Sequence, residues 1–188
     1  LGKLGAVAVC LGLGFPAWIG NALYALGEPG GFSSEAGEAA SGDFAAFMAG
    51  EWRGRGFIIR APGSERERIA CRLNAVSAPP GKLALAGRCA SVRGAARFSM
   101  TYSRDSATAQ AESPAMQETY AYNVLENGGR LLLGSQGPVP WGEGLHQSQV
   151  AVTPTGEDRV SFVETLTGED GVERTALSVV YERSRGDN

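Results

Sequence analysis

From Gly50 almost to the C-terminus, apolar and polar residues alternate one by one, and a chain patterned in this way buries a single face as β-structure. Nine segments carry the alternation: 52–60, 66–76, 82–92, 96–103, 117–125, 130–135, 145–152, 159–167 and 173–183. Turn chemistry separates most of them, as in Pro62-Gly63, Pro79-Pro80-Gly81, Asn127-Gly128-Gly129 and Pro154-Thr155-Gly156. No stretch after Gly50 has the helical period that a parallel crossover needs, so neighbouring strands pair antiparallel as a meander. One apolar and one polar face on nearly every strand predicts an all-β fold, an antiparallel meander β-barrel of about 8 to 10 strands rather than a flat sheet with open edges. A closed antiparallel barrel needs an even number of strands. Nine therefore implies a missed or superfluous strand, to be sought first within Gly134 to Leu145, or a barrel that does not close.

Parity assigns the faces. Ile69, Cys71, Leu73 and Ala75 share one side of the second strand, and Leu83, Leu85, Gly87 and Cys89 share the apolar side of the third. Cys71 and Cys89 each lie nine residues from Pro80, the centre of the intervening turn, so a hairpin folded there sets them opposite one another. Both point toward the core, which predicts a buried Cys71–Cys89 disulfide and a compartment that keeps thiols oxidised. Other inward sets are Phe98, Met100 and Tyr102; Tyr120, Tyr122 and Val124; Val160, Phe162 and Leu166; and Leu177, Val179 and Tyr181.

Three segments precede or open this pattern. Residues 4–26 carry no charge and are long enough to span a bilayer as a hydrophobic helix, with Lys3 before them and Glu28 as the first charge after. Residues 1–27 thus read as a transmembrane anchor or a cleaved signal peptide, and either places the rest of the chain in the periplasm, tethered to the inner membrane or released from it. Residues 28–42, rich in Gly, Ser, Ala and Glu, read as a flexible linker. The barrel domain then occupies 43–188. Asp43 caps a short helix over 44–49 whose Phe44, Phe47 and Met48 share one side, and Gly50 stops it.

Gly50-Glu51-Trp52, following a short helix and opening the first strand, resembles the first signature of the calycins, the lipocalin-like barrels. The longer run Gly50 to Gly56 looks like the opening of nitrobindin-like bacterial domains. The resemblance implies that Trp52 plugs the closed end of a barrel and that a basic residue of the last strand, Arg183 or else Arg185, packs across its ring. The pattern Arg68-Ile69-x-Cys71-Arg72…Gly87-x-Cys89 also resembles exported, uncharacterised alphaproteobacterial proteins, which implies no activity.

Catalytic chemistry finds little support. A formal charge of -3, a pI near 5.3 and arginines scattered along the chain argue against a nucleic-acid partner. One histidine, His146, excludes a multi-histidine metal site within the subunit, and no metal is expected. Ser148 shares the strand face of His146, but i and i+2 side chains project in parallel and no nucleophile elbow is present. No cofactor is expected. The one alternative is haem held through His146, which the nitrobindin resemblance implies. Glu164 falls on a face otherwise apolar, where it needs a partner such as Arg130 or a tyrosine, or keeps its proton, unless a bulge turns it outward. Pro138 to Gly144 forms a rigid loop in which Trp141 is either a lid or partner anchor, or folds back onto the core. The expected function is a non-catalytic envelope barrel that binds a small apolar ligand through Tyr102, Tyr120, Tyr122, Phe162, Glu164 and Trp141, or docks onto a membrane-protein partner. The alternatives are an accessory subunit of a membrane complex anchored by residues 4–26, and a haem-binding or isomerase-type barrel.

Overall fold

The structure, a computed structural model, describes residues 43–78, 81–113 and 118–184. The apolar run 4–26, the 28–42 segment and Arg185 lie outside the described residues. Among those described, no helix is long and apolar enough to cross a membrane.

Asp43 opens α1 (Phe44–Met48) by accepting the Ala45 amide on its side chain at 3.1 Å. The helix buries Phe44, Ala45 and Met48 and gives way to β1 (Gly50–Ile58). Gly50 makes that junction with φ of 121°, a backbone conformation only glycine adopts without strain. The chain continues through β2 (Glu67–Ala78), β3 (Lys82–Ser91), β4 (Gly94–Ser103), β5 (Thr108–Ser113), β6 (Glu118–Asn127), β7 (Arg130–Ser135), β8 (Val139–Trp141), β9 (Gly144–Gly156), β10 (Arg159–Thr167) and β11 (Glu173–Arg183). Each strand pairs antiparallel with its sequence neighbour except at β8, where β7 pairs directly with β9. Pairing of β10 with β9 and of β11 with β1 closes ten strands into a barrel, with β8 as an eleventh strand outside the ring.

The even count comes from a strand the alternation hid. In β5 the inward residues include only Ala109 and Ala111 as apolar side chains, too small to mark a buried face in sequence. The stretch 134–145 does hold a further strand, β8, but it adds to the rim of the barrel and not to its wall.

Within β2 and β3, Cys71 stands opposite Cys89 and the two are joined, with Cα atoms 4.1 Å apart. Cys71 is buried and Cys89 half-buried, so the bridge lies on the inner side of the wall. A disulfide there is compatible with an oxidising compartment.

The inner face divides into two levels. Near α1 the inward residues are sealed: Trp52, Leu73, Leu83, Tyr102, Val152, Val160 and Val179 are all at most 4% exposed. Toward the opposite end, Ile58, Phe98, Met100, Tyr120, Val150 and Leu177 also point inward yet stay only partly buried. Partial exposure of the inner wall is thus concentrated away from α1.

Candidate functional site

The closed end is built around Trp52. Its indole N–H donates to the Met48 carbonyl at 2.7 Å, and the Arg183 guanidinium lies 4.3 Å from the ring centroid. Arg183 also donates to the carbonyls of Ala49 and Phe47, at 2.5 and 2.6 Å, so one side chain holds α1 and Trp52 together. Tyr102 belongs to this end: its hydroxyl donates to Glu126 at 2.9 Å, and Arg104 bridges Glu126 and Asp43. Its place is the sealed floor, away from the accessible wall.

At the other end the inner wall carries a polar group. Glu164 of β10 points inward although the β10–β11 register shifts immediately after it, between Glu164 and Thr165. Arg130 is exposed at the start of β7 and makes no hydrogen bond or ion pair with Glu164 among the described residues. The hydroxyl of Ser148, 3% exposed on β9, donates to the Glu164 carboxyl at 2.7 Å. The Ser148 amide donates in turn to the Ser135 hydroxyl at 3.0 Å, which fixes the serine. Burial pushes Glu164 above its ordinary pKa, and the Ser148 hydrogen bond only partly opposes this. Burial and the neighbouring Glu164 charge likewise push the Tyr122 hydroxyl up to about 12, again against the Ser148 hydroxyl. Tyr120, partly exposed beside Tyr122, is pushed up to about 12, first by burial and then by its hydrogen bond to Glu118. The result is a carboxyl biased toward its protonated form, with two phenols and one serine hydroxyl, set in an apolar wall.

Trp141 covers one side of this end. A tight hairpin of β8 and β9, turning at Gly142 with φ of 64°, folds Trp141 back over Leu166, Ala176 and Ile59, and its indole N–H donates to the Ile59 carbonyl at 2.7 Å. His146 sits beneath it, 8% exposed, with the two rings edge to face at 5.3 Å. The His146 Nδ1 is buried without a hydrogen-bond partner, and a Cβ on Gly168 or Gly144 would lie 3.3 or 3.7 Å from Nε2. Trp141 and the Gly144 and Gly168 backbones thus pack around the His146 ring.

Of the residues singled out from sequence, Tyr120, Tyr122 and Glu164 come together, and Trp141 forms the rim. Phe162 packs at mid-height, edge to face with Tyr181 at 5.1 Å, and Tyr102 lies on the floor. Sequence reasoning missed the role of Ser148, which it weighed only as a nucleophile. Its inward parity between His146 and Val150 was the available signal.

No protein-family model and no curated protein matches this sequence. Similarity appears in the fold. The S-type phycobiliprotein lyase CPES from Guillardia theta is similar with a TM-score of 0.52 at 9% identity, over 77% of this chain and 92% of that one. Rv2717c from M. tuberculosis is similar with a TM-score of 0.50 at 11% identity, over 74% of this chain and 94% of that one. At these identities the likeness carries the barrel fold alone. It also corrects the expectation of a non-catalytic protein: this architecture is shared with a lyase, so a barrel of this kind gives no ground for setting catalysis aside.

Proposed function

We propose that the barrel binds a small, largely apolar ligand in the cup opposite Trp52, with a polar group of the ligand meeting Glu164. The observation that carries this reading is the pairing of a half-buried apolar inner wall with one buried carboxyl whose hydrogen-bond partner among the described residues is Ser148. A mainly apolar concavity with a few convergent polar groups is the usual form of a small-molecule site. A carboxyl biased toward its protonated form donates a hydrogen bond that an ionised one cannot, and this is also how a general acid is held ready. The ligand class is therefore one with an acceptor or basic atom at the edge of an apolar body.

Titration of the full chain with the neutral fluorophore N-phenyl-1-naphthylamine tests this. Ala111 faces inward on β5 near the open end, so Ala111→Trp fills the cup. The expected result is bright, blue-shifted probe emission with the native chain and about tenfold weaker binding by the variant. Equal binding by a cooperatively folding Ala111→Trp protein overturns the reading.

A further inference from the structure

On the outer wall, the strand register aligns four arginines that are far apart in sequence. Arg53 stands opposite Arg72, Arg72 opposite Arg88, and Arg88 opposite Arg97, so one row crosses β1, β2, β3 and β4. At the usual inter-strand spacing the row is about 14 Å long. All four are exposed, and among the described residues none makes an ion pair. Directly opposed like charges destabilise a sheet, so their alignment runs against the stability of the wall itself. Two grooves follow the row. One, of about 1060 Å³, runs between Arg55, Arg72 and Arg159 over Gly54, Ala70 and Ala90, with Glu182 at its side 3.6 Å from Arg159. The other, of about 400 Å³, lies between Arg53, Arg88 and Arg97 over Ala86 and Gly87, with Glu51 at its end.

We infer that this face docks onto an anionic phospholipid surface, the grooves receiving phosphate headgroups. Guanidinium groups pair with phosphate oxygens in a bidentate fork, and their spacing in a row suits an array of headgroups. The net charge of -3 leaves the rest of the molecule acidic, so an anionic surface both attracts this face and repels the others. The one aromatic residue lining the grooves, Trp52, is buried, so they offer no ring on which a nucleic-acid base stacks. Nor do the grooves offer the aromatic anchors or apolar centre that a protein partner uses. The inference is independent of the proposed ligand site.

Arginine footprinting with phenylglyoxal, read by mass spectrometry, tests it on the full chain mixed with vesicles. With phosphatidylglycerol in phosphatidylcholine vesicles, Arg53, Arg72, Arg88 and Arg97 are expected to react several-fold more slowly than with phosphatidylcholine alone, while Arg130 is unchanged. High salt should remove the protection. In co-sedimentation, Arg72→Gln with Arg88→Gln should lose about tenfold in preference for the anionic vesicles. Equal labelling on both vesicle types overturns the inference. So does protection of the row by polyglutamate or by a single-stranded RNA in place of vesicles, which would assign the face to an acidic protein or to nucleic acid.

Discussion

Arg183 lies over Trp52 at 4.3 Å and, from the same guanidinium, donates to the carbonyls that end α1. The last strand, the first strand and the helix are thereby joined at one point, 134 residues apart along the chain in the case of Arg183 and Ala49. Removing the indole leaves a cavity in the best-sealed part of the core, so Trp52→Ala is expected to cost about 3 to 5 kcal/mol. Arg183→Leu keeps some packing but leaves two carbonyls unpaired, and about 2 kcal/mol is expected. Urea unfolding monitored by far-ultraviolet circular dichroism checks both, and a loss below about 1 kcal/mol for Trp52→Ala would remove the plug from the account of stability.

Glu164 gives the barrel a pH dependence of definite sign. Its folded pKa is raised, so between the unfolded and folded values the native state holds more protons than the unfolded state. Stability therefore falls as pH rises through that window, beginning near the ordinary glutamate value of 4.5. Glu164→Gln retains the hydrogen bond with Ser148 without the charge. It is expected to flatten the fall and to be more stable than the native chain at neutral pH and above. Denaturant midpoints measured across the acid to neutral range decide this, and a native chain that gains stability over the same window would show that Glu164 is ionised in the fold.

Much of the architecture was written in the period-two pattern, because an inward residue of a barrel strand is usually large enough to be recognised. The pattern failed where it was not: β5 turns Ala109 and Ala111 inward and reads as a polar stretch. It also could not place Tyr102, since parity puts a residue on the inner wall without saying which end of the barrel it occupies. The arginine row was hidden for a different reason. Arg72 and Arg88 each lie eight residues from Pro80, so the symmetry that pairs Cys71 with Cys89 also pairs them, but Arg53 and Arg97 join only through the registers of β1 with β2 and of β3 with β4. The Glu164 contact was legible as a conflict, a carboxyl on an apolar face. Its resolution through Ser148 depends on β9 lying beside β10.

Arg72 is flanked on both sides by arginine, opposite Arg53 on β1 and Arg88 on β3. Neutralising it relieves two like-charge contacts at an exposed site and removes no ion pair among the described residues. Arg72→Gln is expected to stabilise the barrel by about 0.2 to 1 kcal/mol at low salt, and by less as salt screens the row. The gain is read from thermal unfolding at two ionic strengths. A destabilised variant would mean that the guanidinium is held by contacts that outweigh the repulsion.

The Cys71–Cys89 bridge closes a loop over a sequence separation of 18 residues, for which chain-entropy arguments give about 3 kcal/mol of stabilisation through the unfolded state. Cys71→Ala with Cys89→Ala is expected to lose about 2 to 4 kcal/mol, with a larger dependence on urea, because the unbridged chain exposes more surface when it unfolds. An unchanged urea dependence would locate the effect in the packing of Cys71. The bridge also fixes which residues of β2 and β3 face each other, and a slip of one residue would carry every inward side chain to the outer wall. The same register that seats Cys71 opposite Cys89 seats Arg72 opposite Arg88. If the unbridged variant slips, the arginine row should lose its common footprint on anionic vesicles even under conditions where the barrel is folded. If the remaining inward residues hold the register, stability alone should fall.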